Sequence, residues 1–165
     1  MRESNPDAII VYKPHPDVET GLRLGKLSPD DAKKYADIIA NKGDAIALID
    51  AVDEVHTMTS LMGFEALIRG KQVTTYGTPF YAGWGLTTDL GKRPSRRHNR
   101  IDLERLVHTA LIDYPRNFDP LTKRACPIEV VLDRIEQSTI PKPRLSTRLL
   151  AKTQGIFASY AHLWR

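Results

Sequence analysis

Cysteine is almost absent from this chain: Cys126 is the only one in 165 residues. An internal disulfide is therefore excluded, and a zinc cluster has no thiolates to draw on. A reducing compartment suits such a chain. Long apolar runs are missing too. None approaches the roughly 18 residues that cross a bilayer. The opening Met1-Arg-Glu-Ser-Asn-Pro6 lacks the apolar stretch of a signal peptide. A soluble protein is expected, with any membrane contact peripheral. There is no internal repeat and no low-complexity tract. Nor is there a large excess of one charge: the net value of +4 permits an anionic ligand without arguing for nucleic acid. The composition, 41% hydrophobic and 27% charged, is that of an ordinary globular protein. Its length supports one core and hardly two.

Asp7-Ala-Ile-Ile-Val-Tyr-Lys13 is apolar and rich in β-branched residues, which predicts a strand buried on both faces. Pro14 and Pro16 end it, since neither can donate to a ladder. Ser28-Pro29-Asp30-Asp31 reads as a helix start, with a hydroxyl cap, a first-turn proline and acids at the positive dipole end. Ala32, Tyr35, Ala36 and Ile39 give that helix one apolar face, and Asn41-Lys42-Gly43 closes it. Asp44 is placed to cap a short helix through Val52, although Ala45–Ile49 also fits a strand. Glu54–Met58 reads as a strand, Ser60–Arg69 as a helix stopped by Gly70, and Gln72–Tyr76 as another strand. Strands alternating with helices predict an α/β domain with a parallel, doubly wound sheet.

The sequence then changes character. Gly77, Gly83, Gly85 and Gly91 are interleaved with Phe80, Tyr81 and Trp84, and Lys92–Arg100 is a basic loop. Asp102 caps a predicted helix over Leu103–Tyr114. Pro115–Pro127 is irregular, Ile128–Gln137 is helical, and a weakly amphipathic tail follows Pro141 and Pro143 to Arg165. A Rossmann-like domain over 1–114 and an irregular, helical extension over 115–165 follow from this.

Two segments carry chemistry, both where such a sheet holds ligands, beyond the carboxyl ends of its strands. In Lys13-Pro-His-Pro16, Pro16 biases His15 toward an extended backbone and fixes an imidazole at the rim. The plainer alternative is a histidine in a proline-rich turn. In Thr57-Met-Thr-Ser60-Leu-Met-Gly-Phe-Glu65-Ala, a strand gives way to a helix, and such a junction favours phosphate, with Thr59 and Ser60 as added donors. Equally, Thr59 or Ser60 simply caps its own helix. Glu65, one turn in, either accepts from ribose hydroxyls or pairs with a lysine. Tyr81 and Trp84 either line a cleft or pack a loop. Arg93, Arg96, Arg97 and Arg100 form a solvated face, or else attract an anionic lipid or glycan at a membrane surface. They lack the aromatic interleaving of a nucleic-acid stripe.

Lys13-Pro-His-Pro-Asp17, then His56-Thr-Met-Thr-Ser-Leu-Met-Gly-Phe-Glu-Ala-Leu67, then Tyr76-Gly-Thr-Pro-Phe-Tyr-Ala-Gly-Trp-Gly-Leu-Thr-Thr-Asp89 resemble, in that order, the capsule polysaccharide β-Kdo transferases of the KpsC type. The likeness continues more loosely through Tyr114-Pro-Arg-Asn-Phe-Asp-Pro120. The long Gly-Trp segment is its specific part.

The resemblance implies a GT-B architecture of two Rossmann-like halves with the active site between them. This chain matches the nucleotide-binding half, and the acceptor-side half is expected to be a separate or missing partner. It further implies CMP-Kdo as donor and CMP as product, with no covalently bound cofactor and no metal. His15 and Ser60 match the pair that holds the cytidylate phosphate, with Lys13 and Thr59 as neighbours. His15 stabilises the leaving group and is not a nucleophile. Transfer in this family is retaining, and such chemistry commonly employs a further carboxylate near the sugar. Asp17, Asp50 and Asp53 are present, but none is placed in that role, so the chain alone is expected to be inactive. The implied location is the cytoplasm, peripheral at the inner face of the bacterial inner membrane. A non-catalytic nucleotide- or partner-binding module, and a transferase for another nucleotide sugar, stay open beside this reading.

Overall fold

Parallel pairing organises both parts of the chain. In a computed structural model the described residues are 1–21, 24–41, 43–141 and 153. They divide into two compact units. One is Lys42–Arg116 with Met1 and Glu3–Asn5; the other holds Arg2, Pro6–Asn41 and the residues from Asn117 onward.

The first unit contains a three-stranded parallel sheet, in the order β3 (Glu54–Thr57), β4 (Gln72–Thr75), β5 (Thr88–Asp89). Val55 faces Val73 across the first pair, and Thr74 faces Thr88 across the second. The predicted helix after Asp44 forms as α3 (Ala45–Ala51), with the Asp44 carboxylate accepting from the Ile46 amide at 3.0 Å. That cap settles the helix-or-strand ambiguity, because it satisfies a first-turn donor no strand would present. Helix α4 (Met62–Ile68) connects β3 to β4. It ends at Gly70, whose φ of 72° is the left-handed stop that a glycine permits without strain. Ile49, Val55, Phe64, Ala66, Leu67, Val73, Tyr81 and Leu106 form the core. The strands are short, so the helices and the 77–91 segment supply most of its bulk.

Strand β5 lies inside the glycine- and aromatic-rich stretch, where no strand was predicted. Helix α5 (Leu103–His108) starts on Asp102 as predicted, through a 2.7 Å bond from the Arg105 amide. Its last part, Thr109–Asp113, widens into a π-helical turn before Pro115 stops the chain.

In the second unit β1 (Val11–Tyr12) pairs in parallel with β2 (Ile38–Ile39). Two expectations are corrected here. The strand predicted over Asp7–Lys13 shrinks to two residues because its partner is only two residues long, and Ile9 is left 77% exposed. The helix predicted through Ile39 is α2 (Pro29–Lys33), capped by Ser28 at 3.1 Å. Beyond it, the Asp37 carboxylate accepts from the Ile10 amide at 2.7 Å and pairs with Arg2. These contacts dock Ile38–Ile39 beside β1, where β-branched residues fit, and tertiary pairing overrides the helical period. A further turn of helix, α1 (Pro16–Glu19), follows His15.

The stretch from Asn117 is also more ordered than its composition implies. Phe118 and Ala125 form an antiparallel bridge around Asp119, which is 4% exposed. Its carboxylate accepts from the Leu121 amide and the Thr122 hydroxyl, both at 3.0 Å, and from two Arg134 nitrogens, both at 3.2 Å. Arg134 lies on α6 (Ile128–Glu136), the predicted C-terminal helix. The tail expected beyond Pro143 falls outside the described residues, Thr153 excepted.

The bidentate Arg134 contact, helped by the Leu121 amide, holds the Asp119 carboxyl down at about 2, from an ordinary 3.8. A depressed acid stabilises the fold above its unfolded pKa and loses that contribution as pH falls toward the folded value. The loop–α6 attachment is therefore expected to weaken between about pH 4 and pH 2. Protection of the Leu121 amide, relative to its intrinsic exchange rate at each pH, should fall across that interval in the native chain. Asp119→Asn should already exchange fast at neutral pH and show little further change.

Candidate functional site

Short loops at the ends of strands position both predicted motifs. Lys13 directly follows β1 and is half-buried. His15 has the extended backbone expected before a proline, with φ −70° and ψ 136°, and it caps α1. Its Nδ1 accepts from the Asp17 amide at 3.1 Å, and the ring is about half exposed, at 45%. Because Nδ1 is an acceptor, the neutral ring carries its proton on Nε2, the nitrogen left for a ligand. The proline-flanked turn and the fixed imidazole, posed as alternatives by the sequence, are the same structure.

The second motif fills the turn between β3 and α4. The Ser60 amide donates to the Thr57 hydroxyl at 3.3 Å, and Ser60 Oγ accepts from the Met62 amide at 3.2 Å. Ser60 thus bonds the first amide of α4 from one residue before the N-cap, Leu61, which makes no side-chain cap bond. A serine hydroxyl is also a donor, so its proton stays available. Thr59 is exposed, Ser60 half-buried, and Glu65 half-exposed in the first turn of α4. Lys13 and His15 belong to the second unit, whereas Thr59, Ser60, Glu65, Tyr81 and Trp84 belong to the first.

His56 opens the same motif but has no free nitrogen. Its Nδ1 lies 3.1 Å from the Tyr76 hydroxyl and its Nε2 3.2 Å from Glu54. The Thr74 hydroxyl donates to the same Glu54 carboxylate at 2.6 Å. This histidine is structural.

The aromatic residues of the 77–91 segment have different fates. Tyr81, read from the sequence as lining a cleft or packing a loop, is fully buried at 0%. Its hydroxyl donates to the Ser60 carbonyl at 2.5 Å, and burial pushes the phenol up to about 12. The cause of the burial is a cluster in which Phe80 packs edge-on against Phe64 and Tyr81, with ring centroids at 4.9 and 5.3 Å. Phe80 remains 42% exposed. Trp84 is half-buried and donates to the Phe80 carbonyl at 2.8 Å.

Arg97 also departs from expectation, since it is not part of a solvated face. Its guanidinium donates to the carbonyls of Pro79 at 2.6 Å and Ala82 at 2.9 Å, and lies 5.7 Å over the Trp84 ring. Arg93 in turn donates to the Arg97 carbonyl, while Arg96 and Arg100 are exposed. Asp89 accepts from the Thr87 and Thr75 hydroxyls and from the Gly83 amide, at 2.6, 3.1 and 2.9 Å. Asp89 was not singled out by sequence, and Arg97 was grouped with Arg93, Arg96 and Arg100 because nothing distinguishes it from them until the loop closes. Of the carboxylates considered, Asp50 pairs with Arg69 at 3.8 Å and Asp17 lies beside His15. An open hollow of about 410 Å³ is lined by Asn99, Arg100, Ile101, Asp102 and Arg105, and by none of the predicted site residues.

The strand-end turn with Ser60 and the glycine–aromatic loop both lie within residues that match a family model. Residues 1–117 match the model of the capsule polysaccharide biosynthesis proteins, and the chain belongs to that family. It is similar to the capsule polysaccharide modification protein LipA of Neisseria meningitidis serogroup A, at 56% identity over 125 residues. That match covers 76% of this chain and 18% of LipA. Among solved structures it resembles the β-Kdo 2,7 transferase of Thermosulfurimonas dismutans KpsC, with a TM-score of 0.70 and 42% identity, over 84% of this chain and 44% of that one. The β-Kdo 2,4 transferase of the same KpsC aligns with a TM-score of 0.65 and 38% identity, over 81% and 41% of the two chains. The chain thus spans under half of each transferase and about a fifth of LipA. Among the described residues no helix is long and apolar enough to cross a membrane.

Glycine packing in this loop gives a direct test. A Cβ on Gly77 would meet the Met58 carbonyl oxygen and Thr59 Cγ2, both at 2.7 Å. Overpacking of this kind costs about 1–3 kcal/mol. Gly77→Ala should therefore lower the denaturant midpoint, whereas Lys92→Ala, at an exposed position, should leave it within error.

Proposed function

We propose that this chain is the nucleotide-binding half of a β-Kdo transferase in capsule polysaccharide synthesis, and that it holds the phosphate of CMP-Kdo. The observation that carries the reading is the 42% identity to a β-Kdo transferase over 84% of the chain; the family match over residues 1–117 takes in both motifs. Each motif, taken by itself, carries a suitable donor. His15 offers Nε2–H at a half-exposed ring, Ser60 keeps a hydroxyl proton, and Lys13, two residues before His15, is positively charged. As the sugar departs, charge builds on the phosphate oxygens. Donors already fixed in direction stabilise that charge more than the ground state. Thr59 is a further donor, and Glu65 an acceptor for ribose hydroxyls. The carboxylate that works at the anomeric carbon belongs to the other half of the enzyme, as does the acceptor glycan. The exposed Arg96 and Arg100 suit an anionic lipid or glycan at the inner membrane face.

Phosphate contacts do not read the base, so a different nucleotide sugar is the nearest rival. A chain that binds nucleotide without turnover is the next. Calorimetry with CMP, UMP and cytidine separates them. A charge-assisted bond contributes about 1.5–3 kcal/mol, so His15→Ala should weaken CMP roughly ten- to a hundredfold. Ser60→Ala should cost CMP binding less. Cytidine should be nearly indifferent to either change. Equal losses for CMP and cytidine would mean that the two residues hold the fold and not the phosphate.

A further inference from the structure

The Ser60 turn is gripped from the side opposite its hydroxyl. Ser60 presents Oγ to the Met62 amide, while its carbonyl accepts from the Gly63 amide at 3.2 Å and from the buried Tyr81 phenol. The Tyr81 ring occupies the space above Gly63: a Cβ there would overlap the phenol oxygen and come within 2.8 Å of Cζ. Phe64 stacks on the same ring at a centroid distance of 6.2 Å. Two residues before Ser60, the Gly77 amide donates to the Met58 carbonyl at 3.1 Å. The turn is therefore held at Met58 by Gly77 and at Ser60 by Tyr81.

The holder is itself held. Asp89 fixes Gly83, and Arg97 fixes Pro79 and Ala82, so the backbone on both sides of Tyr81 is bonded to charged groups. A buried hydroxyl that accepted no such role would be costly to desolvate. Here it is directed at one carbonyl, which holds the Ser60–Leu61 peptide plane and so limits rotation about the Ser60 Cα–C bond.

We infer that Tyr81 is a positioning residue, which aims the Ser60 hydroxyl at the donor phosphate by bonding the Ser60 carbonyl from inside the core. This rests on the reading that Ser60 binds that phosphate. Tyr81 does not touch the nucleotide. The specific glycine–aromatic segment thus serves the phosphate site from behind, and Gly63 is glycine because the ring needs its space.

Tyr81→Phe removes only the hydroxyl and keeps the packing against Phe64, Phe80 and Gly63. It should weaken CMP about three- to tenfold, the scale of one net hydrogen bond, and leave cytidine unchanged. Because Tyr81 acts through Ser60, Tyr81→Phe in a Ser60→Ala background should add little further loss. Gly63→Ala, which keeps the phenol but displaces its ring, should reproduce the CMP loss. Independently of any ligand, hydrogen exchange at Ser60–Gly63 should quicken in Tyr81→Phe while β3 and β4 keep their protection. Unchanged exchange at those amides overturns the inference, as do full additivity with Ser60→Ala or a Gly63→Ala chain that binds CMP normally. If the unmodified chain fails to prefer CMP over cytidine, the phosphate reading falls instead, and the exchange result still decides whether Tyr81 holds the turn.

Discussion

The Asp89 carboxylate is the junction on which the first unit depends. One oxygen accepts from the hydroxyls of Thr75 on β4 and Thr87 just before β5, and the other from the amide of Gly83 in the glycine-rich loop. Thr75 is 0% exposed, so without Asp89 its hydroxyl would sit in the core unpaired, at a cost of about 1–3 kcal/mol. The same carboxylate ties the loop to the sheet edge, and the loop delivers Tyr81 to the core. Sheet, loop and serine turn are one connected arrangement of polar contacts inside an apolar shell, in which each member limits the freedom of the next.

Much of this is local and was legible in the sequence. Asp44, Asp102 and Ser28 cap the helices predicted for them, because a cap is decided within three residues. The parallel α/β pattern from Glu54 to Thr75 is likewise carried by short apolar runs and by Gly70. What escaped is non-local. Ile38–Ile39 continues a helical period, and only Val11–Tyr12, far away in sequence, turns it into a strand. Phe80 and Tyr81 are neighbours of the same chemical kind, yet one is 42% exposed and the other wholly buried. No pattern in the residues themselves separates them. The fate of each is set by where the loop closes, and that closure rests on Asp89 and Arg97, whose partners lie up to 18 residues away.

At the site the sequence posed choices that the structure does not need to make. Ser60 was read as either a helix cap or a ligand donor; Leu61 is the cap, and Ser60 Oγ accepts from the first helical amide while keeping a proton to donate. His15 was either a turn residue or a fixed imidazole, and the turn is what fixes it. Such dual use follows from hydrogen-bond capacity: a hydroxyl or a neutral imidazole both accepts and donates, so one end serves the fold and the other faces outward.

The acceptor role of His15 Nδ1 has a consequence for chemistry. With that nitrogen turned to the Asp17 amide at 3.1 Å, and the Asp17 carboxylate 3.7 Å from it, Nε2 is the nitrogen left outside the turn. An asparagine side chain has the same two faculties, a carbonyl oxygen to cap the following turn and an N–H to point outward. In its service to the turn the imidazole is therefore close in character to a carboxamide.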